Sequence, residues 1–343
     1  MKPFTACVTV AALLSGVLSA PSSSDVSKWE SFKSLHGKRH APSQDAVRMA
    51  KFIQRSREID AHNARYEAGL ESFSLKLNQY SDLSPEEFAQ NALGFTPSND
   101  SLPQPHSLEV APSLPESLDY RETGIMTPVK SQGGCGSCYA FAATGALESY
   151  ILRLSTNKNV DLSEQDVVDC SYRKFMGNNM NGGCRGGHPT AVFDYYKEKD
   201  VIMEDSYEYV SGQTGTHQEC KIKTPEHKFI RDRLRHKHVR PERESDLKQY
   251  LVEYGPLVIG IAADNEHKAM FKDLGDGIFD VDYTVNLQPN HVVVLAGYGS
   301  ENGKDYWIIK NSWGTDWGVG GYGKIVAGKN MANIMASGIW ILE

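Results

Sequence analysis

The amino-acid sequence predicts an α+β fold in which a mainly helical half precedes a strand-rich half, with a separate α-rich module ahead of both. Three observations support this prediction. Helical spacing of apolar residues dominates up to Lys199, apolar runs typical of strands follow Pro256, and a proline- and serine-rich stretch from Thr96 to Pro115 interrupts the pattern. The 343 residues, 40% of them hydrophobic, suffice for one large core and a smaller attached module.

The N-terminal segment, residues 1–20, has the features of a signal peptide. Lys2 precedes an apolar run over residues 4–18, and two small residues follow it. The run is too short to span a bilayer comfortably, and no later stretch reaches about 20 uninterrupted apolar residues. The sequence therefore predicts a soluble mature protein of the secretory pathway, without a membrane span.

Residues 21–95 form the predicted α-rich module. The apolar residues at helical spacing are Trp29, Phe32 and Leu35 in a first helix and Val47, Phe52, Ile53 and Ile59 in a second. Gly69 predicts the end of the second helix. Phe73, Leu75 and Leu77 then alternate with polar residues as in a strand, and the capping box Ser84-Pro85-Glu86-Glu87 predicts a third helix.

Residues 96–113 form a predicted linker, and residues 114–343 form the main domain. The linker has no periodicity and contains the sequon Asn99-Asp100-Ser101, so we expect it to be open to proteases and a candidate for glycosylation at Asn99. In the main domain, helices are predicted at 138–154, after Ser163 and at 191–199. Strands are predicted at 257–262, 291–297, 306–310 and 321–326.

The charge balance argues against a nucleic-acid partner. The formal net charge is −7 and the pI is near 5.9, whereas nucleic-acid binding usually requires a basic face. A local exception is the basic run from Lys228 to Arg240. Most such runs are solvated surface, so a polyanion site is the minority interpretation.

The cysteine count indicates disulfides plus one free thiol. The chain has six cysteines, and Cys7 leaves with the signal peptide; the others are Cys135, Cys138, Cys170, Cys184 and Cys220. An odd number in an oxidising compartment suggests pairs and one thiol with a chemical role. A zinc site is the rival explanation for the CxxC at Cys135 and Cys138, but no second CxxC or HxxxH follows at suitable spacing, and we expect no metal or cofactor.

One string carries the chemistry: Gln132-Gly133-Gly134-Cys135-Gly136-Ser137-Cys138-Tyr139-Ala140-Phe141. It resembles the papain-like cysteine peptidases, whose signature is C-G-[SA]-C-[WY]. The resemblance continues in Gly183-Cys184-Arg185-Gly186-Gly187, in Asn290-His291 and in Asn311-Ser312-Trp313-Gly314, and covers nearly the whole chain. It implies a papain-like domain over residues 114–343, with a helical half, a strand-rich half and the substrate in the cleft between them.

The chemistry of a reactive thiol agrees with this resemblance. Cys138 at a helix N-terminus would feel the positive end of the helix dipole, and a nearby imidazolium would lower its pKa further. The resemblance implies Cys138 as nucleophile and His291 as the base that later protonates the leaving amine. It also implies that Asn311 orients the imidazole, that Trp313 shields that contact, and that Gln132 supplies an oxyanion-hole donor beside the Cys138 backbone N–H.

The remaining four cysteines become structural by the same resemblance. Three pairings are open to four cysteines, and the resemblance implies Cys135–Cys184 and Cys170–Cys220. The chain departs from the family at Tyr139, where tryptophan is usual, and in lacking the third cystine, since Ala332 stands at one of its positions. We therefore expect a less firmly stapled C-terminal half.

The N-terminal module resembles the inhibitory propeptides of cathepsin L-like enzymes. Matching positions of the interlaced helix motif are Arg48, Phe52, Ile59 and Asn63, with Gln44 and Arg55 replacing two usual residues. Asn78, Tyr80 and Asp82 resemble the second motif, with Lys76 in its glycine position. The resemblance implies a module that inhibits its own enzyme by threading the cleft in the non-productive direction. A module kept only for folding is compatible with the same residues.

The resemblance also implies the substrate contacts of an endopeptidase. They are Gly186, Gly187, Pro189, Gly260, Asn290, Trp313, Trp317 and Ser337. An apolar residue is expected two positions before the cut. Partners implied are protein and peptide substrates, the chain's own propeptide and cystatin-like inhibitors, for a monomer in a lysosome-like compartment or outside the cell. Two alternatives are a silent homologue used for binding and an exopeptidase, although residues 171–183 contain no histidine pair to hold a substrate carboxylate.

Overall fold

The computed structural model describes residues 21–95, 113–155, 159–172, 181–221, 233–263, 270–281 and 288–343, together with Pro97, Pro103, His106 and Leu108. The expected signal peptide and the sequon at Asn99 lie outside the described residues. Helices are α1 Ser23–Leu35, α2 Pro42–Glu67, α3 Pro85–Ala92, α4 Cys138–Leu154, α5 Glu164–Cys170, α6 Pro189–Glu198, α7 Ser211–Thr214 and α8 Leu247–Tyr254. Strands are β1 Phe73–Leu75, β2 Leu118–Asp119, β3 His236–Val239, β4 Leu257–Ile261, β5 Leu274–Phe279, β6 His291–Glu301, β7 Lys304–Lys310, β8 Tyr322–Val326 and β9 Ile339–Leu342.

One sheet organises the strand-rich half. Its strands follow the order β1-β5-β8-β7-β6-β4-β9-β3, and β2 pairs with β6. The pairs are antiparallel except for β5 with β8. Helices come first and most strands later in the main domain, which confirms the predicted α+β class.

The central strand β6 is buried on both faces and separates two cores. Val292 and Val294 face the core that contains α4, α5 and α6, whereas Val293 and Leu295 face the core that contains α8 and the aromatic residues of the strand-rich half. Successive side chains of a strand point to opposite faces, so this apolar run serves two hydrophobic layers at once. The sheet therefore fixes the position of the helical half relative to the strand-rich half.

The N-terminal module has its own small core but also joins the sheet. Buried Trp29, Phe32, Phe52 and Ile53 form that core. Strand β1 pairs with β5, and the side chain of Asn63 on α2 bonds both backbone groups of Leu75, at 2.7 and 2.9 Å. The module is thus separate in sequence and attached through strand pairing.

Two apolar residues of the predicted helix faces are exposed. Leu35 retains 73% of its accessible surface and Val47 57%, although both share the helical spacing of the buried residues. The strand also ends at Leu75, although the alternation continued to Leu77. Short amphipathic helices bury only the stripe that a partner covers, and periodicity alone does not tell how wide that stripe is.

Two disulfides staple the helical half. They join Cys135 to Cys184 and Cys170 to Cys220, and Cys138 is a free, buried cysteine. Each closes a loop of about 50 residues, which is worth on the order of 4 kcal/mol in the chain-entropy model. The Cys135–Cys184 disulfide lies within the motif that contains the free thiol of Cys138.

A carboxylate stabilises the region around Ala332, where the resemblance implied that a third cystine is missing. Glu244 accepts hydrogen bonds from the indole N–H of Trp307 at 2.7 Å and from the backbone N–H groups of Gly328 and Asn330 at 2.8 and 2.7 Å. The loop so held leads to Ala332, whose carbonyl accepts from the N–H of Ala262 at 2.7 Å. Charge-assisted hydrogen bonds are among the stronger ones, so this half is pinned without a disulfide.

The described part of the basic run, residues 233–240, is built into the sheet. Its side chains already have partners: His236 bonds Asp194, Lys237 bonds Glu343, and His238 bonds the carbonyl oxygen of Ser337. Residues 228–232 lie outside the described residues.

None of the helices in the described ranges combines the length and apolar character needed to cross a bilayer.

We predict that Glu244→Ala destabilises the protein by roughly 1–3 kcal/mol, because the nearly fully buried Trp307 N–H would lose its acceptor. For a domain of this size, that corresponds to a melting temperature lowered by about 2–4 °C per kcal/mol. Thermal unfolding followed by tryptophan fluorescence measures it. Glu242→Ala, an exposed neighbour, is the matched control, and equal melting temperatures for the two variants would contradict the brace.

Candidate active site

Cys138 is the first residue of helix α4 and is fully buried in this precursor form. The preceding turn is held by Cys135, through its disulfide to Cys184, and by the Gly136 N–H, which donates to the Cys184 carbonyl at 3.0 Å. Ser137, at the N-cap, makes no side-chain capping bond to the helix. The N–H groups of Ala140 and Phe141 donate to the Ser137 carbonyl at 2.8 and 3.2 Å, which leaves those of Cys138 and Tyr139 for other partners. The thiol lies at the positive end of the helix dipole.

His291 is the first residue of β6, paired with Ile261 at the end of β4. Its Nε2 lies 2.8 Å from Oδ1 of Asn311, and the same oxygen accepts from the Ser312 N–H at 2.8 Å. A carbonyl oxygen can only accept, so Nε2 carries a proton and the neutral imidazole keeps its lone pair on Nδ1. Nδ1 is buried without a hydrogen-bond partner, and the Trp313 ring stacks on the imidazole at 4.5 Å.

A buried polar network holds Lys310, the residue directly before Asn311. Lys310, at the end of β7, donates to Thr127 Oγ1 at 2.9 Å, and Thr127 donates to Glu148 on α4. Lys130 joins the network through Glu148 at 3.3 Å. Buried polar groups with partners resist displacement, so this network ties the start of the Asn311 loop to the helix that begins with Cys138.

Gln132 is fixed at both of its ends. Its N–H donates to the Ser312 carbonyl at 2.8 Å, and its side-chain oxygen accepts from the Ser312 hydroxyl at 2.6 Å. The side-chain Nε2 therefore points the other way, donating to the carbonyl oxygens of Cys135 at 2.8 Å and Ala92 at 3.0 Å. Ala92 ends helix α3 of the module, so the module occupies one donor of the site.

The module crosses the site through a contact between glycine backbones. A Cβ atom on Gly94 would overlap the carbonyl group of Gly136, and one on Gly186 would come 2.7 Å from the Gly94 carbonyl oxygen. That oxygen accepts from the Gly187 N–H at 2.9 Å, and Phe95 forms a parallel bridge with Gly187. Only residues without side chains allow this approach.

The side chain of Phe95 fills a pocket beside the site. Its ring lies 5.7 Å from the ring of His188 and 5.9 Å from that of Trp340, and a Cβ on Gly260 would come 2.9 Å from it. The same added Cβ would come 2.5 Å from the hydroxyl of Ser337. Gly260 therefore leaves the space that an aromatic ring occupies.

Comparison with known proteins agrees with this architecture. Residues 114–340 match the model of the papain family cysteine proteases, and residues 29–88 match the cathepsin propeptide inhibitor domain. The chain belongs to the papain family of cysteine proteases. It is 36% identical to a cathepsin L-like peptidase of Aedes aegypti over 88% of both chains. It is 35% identical to human cathepsin L2 over 94% of this chain and 95% of that one.

Solved structures are similar in the same way. A digestive procathepsin L 3 from the larval midgut of Tenebrio molitor superposes with a TM-score of 0.78 at 29% identity, covering 94% of this chain and 99% of that one. The papain-like fold that the sequence motifs implied is thereby confirmed. The protein is a papain-family cysteine protease made as a zymogen, with an inhibitory propeptide domain ahead of the enzyme domain.

Other residues expected in the cleft of this protease have distinct positions. Trp313 lies edge-on to Phe88 of the propeptide at 5.2 Å. Trp317 is fully buried behind it, donating to the Phe271 carbonyl at 2.9 Å. Pro189 starts α6 next to His188. Asn290 accepts the Phe95 N–H through its carbonyl at 3.1 Å, while its side chain accepts from the Ala263 N–H at 2.9 Å.

Burial in this structure shifts the pKa values of Cys138 and His291. Burial raises the pKa of the Cys138 thiol to about 12 and lowers that of His291 to about 4, even though the Asn311 bond favours the imidazolium. Hydrogen bonds from the backbone N–H groups of Val292 and Gly94 oppose this rise in the pKa of the thiol. Desolvation disfavours both charged forms, so the covered site holds a neutral thiol and a neutral imidazole between these pH values.

Three residues near the cleft escaped the sequence reasoning. His188 and His238 flank Trp340 beside the Phe95 pocket, with ring distances of 5.2 and 4.4 Å. Burial, helped by the neighbouring His238, lowers the pKa of His188 to about 3. The third, Tyr209, touches the turn before Cys138. His188 directly follows Gly186 and Gly187, which were expected to contact the substrate, so its position in the sequence was a usable signal. His238 and Tyr209 come from distant segments of the chain.

The donor atoms at the site do not form a metal centre. Within the ranges that the structure describes, no group of three or more His, Cys, Asp or Glu side chains converges as metal ligands would. The site instead combines the thiol of Cys138, the imidazole of His291 and the side-chain carboxamide of Asn311, with N–H hydrogen-bond donors nearby.

We predict that Gly94→Ala weakens autoinhibition, because its methyl group would displace the propeptide from Gly136. The unprocessed precursor should then react at neutral pH with a peptidyl epoxide at least about tenfold faster, which corresponds to roughly 1.4 kcal/mol. Mass spectrometry of intact precursor measures the label. Gln90→Ala changes an exposed residue of the same segment and serves as control; a Gly94→Ala rate equal to this control would sink the prediction.

Proposed function

We propose that Cys138, His291, Asn311 and Gln132 are the catalytic residues of this protease, acting as an endopeptidase. The observation that carries the proposal is the His291–Asn311 hydrogen bond, which leaves the lone pair of the imidazole on Nδ1. The free thiol at the start of α4 is the matching nucleophile. The remaining cysteines of residues 135–220 are bound in disulfides.

The reaction follows from these groups once the propeptide has left. His291 Nδ1 takes the thiol proton, and the thiolate attacks the scissile carbonyl carbon, whose oxygen gains the electron pair and meets the Gln132 Nε2–H and the Cys138 N–H. The intermediate collapses as the imidazolium protonates the leaving amine, which forms a thioester. Water, deprotonated by His291, then attacks the thioester and releases the acid and the thiol.

We further propose that the propeptide is a poor substrate because its chain runs the wrong way. In a substrate, the residue two positions before the cut precedes the carbonyl that Gln132 would bind. In the propeptide, Phe95 follows Ala92, whose carbonyl Gln132 binds, so the order is reversed. The parallel bridge of Phe95 with Gly187 supports this reading.

We predict that Cys138→Ala abolishes turnover and leaves folding intact, since alanine suits a helix start and only the nucleophile is lost. His291→Ala should behave likewise. Asn311→Ala should keep more activity because it orients the base and transfers no proton. Fluorogenic peptide assays on enzyme released by pepsin, with circular dichroism as the folding control, test the set; peptidase activity retained by Cys138→Ala would remove the central claim.

We propose activation by cleavage within the linker, residues 96–113, when the pH falls. Asp82 of the propeptide is fully buried and lies 2.5 Å from Lys38 Nζ and 3.2 Å from His40 Nε2. Against the effect of burial, Lys51 and Arg48 lower the pKa of Glu87 to about 2. A carboxylate with a depressed pKa stabilises the fold above its unfolded pKa, so its contribution fades between about pH 4.5 and 2.

We predict that the precursor is nearly inactive near neutral pH and trims itself between about Val110 and Leu114 on acidification. N-terminal sequencing of the mature enzyme measures the site. The Cys138→Ala precursor, held at the same pH, is the control that separates self-processing from hydrolysis by acid. A mature N-terminus before Ser84, or full activity with the propeptide attached, would contradict the prediction.

We propose that the Phe95 pocket accepts the substrate residue two positions before the cut. Phe95 fits between Gly260, Ser337 and the rings of His188 and Trp340. None of these groups offers a negative charge to a guanidinium, which is costly to bury unpaired. Burying a leucine side chain contributes roughly 1.5–3 kcal/mol instead.

We predict a preference for Leu, Phe or Val over Arg at that substrate position by at least about tenfold in kcat/KM, or roughly 1.4 kcal/mol. Paired fluorogenic peptides that differ only there measure it. Ser337→Glu should narrow the difference by supplying a carboxylate at the pocket. Equal rates for the Leu and Arg peptides on the unsubstituted enzyme would refute the pocket assignment.

We propose the secretory pathway as the route of this protein, leading to a lysosome-like compartment or to the outside. Two disulfides and the apolar N-terminal run support this route. A monomer, inhibited by cystatin-like proteins that occupy the same cleft, is the form we expect to act on protein substrates.

A further inference from the structure

Tyr209 touches both segments that supply the candidate oxyanion donors. Its phenolic oxygen lies 2.9 Å from the carbonyl oxygen of Gln132 and 2.7 Å from the hydroxyl oxygen of Ser137. Gln132 provides the side-chain donor, and Ser137 directly precedes the Cys138 N–H. The residue comes from the segment before α7, more than 70 positions along the chain from either contact.

The direction of these hydrogen bonds follows from chemistry. A carbonyl oxygen can only accept, so the single phenolic proton of Tyr209 goes to Gln132. Ser137 must then donate its hydroxyl proton to the Tyr209 oxygen. The result is a chain in which Ser137 donates to Tyr209 and Tyr209 donates to Gln132, and donors and acceptors in such chains strengthen one another.

Tyr209 is itself held firmly. Its ring lies edge-on to Phe141 on α4 at 4.9 Å, and its N–H donates to the Glu204 carboxylate at 2.8 Å. Beside it, the Gly134 N–H donates to the Gly212 carbonyl at 2.7 Å, and a Cβ on Gly212 would come 3.0 Å from the Tyr209 ring. The phenol therefore has one available position, above the turn over residues 132–137.

Gln132 has further supports, because its side-chain Nε2 donates to the carbonyl oxygen of Cys135 at 2.8 Å. Ser312 binds the N–H and the side-chain oxygen of Gln132, which leaves the carbonyl to Tyr209. Without the phenolic hydroxyl, the peptide unit after Gln132 would lose its shorter hydrogen bond and keep the 3.4 Å bond from the Gly133 N–H to Ser131 Oγ, so the distance between the two oxyanion donors would be less firmly set. Stabilisation by such donors depends on their being oriented before the reaction.

We infer that Tyr209 is a positioning residue of the oxyanion hole, coupling the Gln132 donor to the helix start that carries the Cys138 N–H. This inference rests on the proposed role of Gln132. Tyr209 acts through its two hydrogen bonds and does not touch the substrate. Its removal should affect the steps that create an oxyanion more than ground-state binding.

The test is Tyr209→Phe, which removes one oxygen and keeps the ring on Phe141. Loss of a whole oxyanion donor costs about 10²–10³ in kcat, so a loosened donor should cost roughly tenfold in kcat with KM changed less than about twofold. Enzyme is released by pepsin from each full-length precursor and normalised by active-site titration. Tyr207→Phe, a buried neighbour whose hydroxyl bonds Asp169 at 2.6 Å, is the matched control for general loss of packing and should keep wild-type kcat.

Two inhibitors separate an oxyanion effect from a general one. A peptide aldehyde adds the Cys138 sulfur to its carbonyl carbon, and the former carbonyl oxygen takes the oxyanion position, so its inhibition constant should rise about tenfold in Tyr209→Phe. Iodoacetamide alkylates the Cys138 sulfur at its CH2 carbon and releases iodide without forming an oxyanion, so its inactivation rate should stay within about twofold. Equal losses with both inhibitors, or an unchanged kcat, would overturn the inference.

Two further variants keep the outcome interpretable. Ser137→Ala breaks the same chain from its other end, and combined with Tyr209→Phe it should add little further loss, as coupled sites do; full additivity would contradict the coupling. Gln132→Ala tests the proposed function itself. If Gln132→Ala loses aldehyde affinity and Tyr209→Phe does not, only the inference fails; if Gln132→Ala loses nothing, the assignment of the oxyanion hole fails first.

Discussion

The structure depends on the packing of helix α4 against strand β6. Alternate residues of β6 face two different hydrophobic cores, and Val292 and Val294 lie against the helix that begins at Cys138. Because β6 begins at His291, the same contact sets the helix start and the strand start relative to each other. Thiol and imidazole thus come from two halves of the molecule whose relation is settled by close packing, which resists small shifts.

The propeptide uses groups that the chemistry of the exposed enzyme would need. The Ala92 carbonyl accepts a hydrogen bond from Gln132 Nε2, and the Gly94 carbonyl accepts one from the Gly187 N–H. The ring of Phe95 fills the pocket beside Gly260. Burial also holds the thiol and the imidazole in their neutral forms. The propeptide thus occupies a hydrogen-bond donor and a pocket of the site, and the thiol and the imidazole beside them are buried.

Some departures from the family pattern prove to have their own physical roles. Arg55, which replaces a usual motif residue, makes an ion pair across the interface with the fully buried Asp273 at 2.6 Å. The missing third cystine lies in a region that Glu244 braces with three hydrogen bonds. A motif mismatch seen in sequence therefore says that one contact is absent, and it does not say what has taken its place.

Local signals in the sequence determined much about this protein. The capping box at Ser84–Glu87, the helix after the Cys138 turn and the apolar run of β6 are properties of neighbouring residues, which is why they were predictable. The motifs around Cys138, His291 and Asn311 likewise indicated the family and its chemistry. The tertiary structure alone decided that Leu35 and Val47 are exposed, that β1 joins β5, that Phe95 fills the pocket and that Tyr209 reaches Gln132. These facts join segments far apart in the chain, and residue periodicity carries no information about which distant surface covers a side chain.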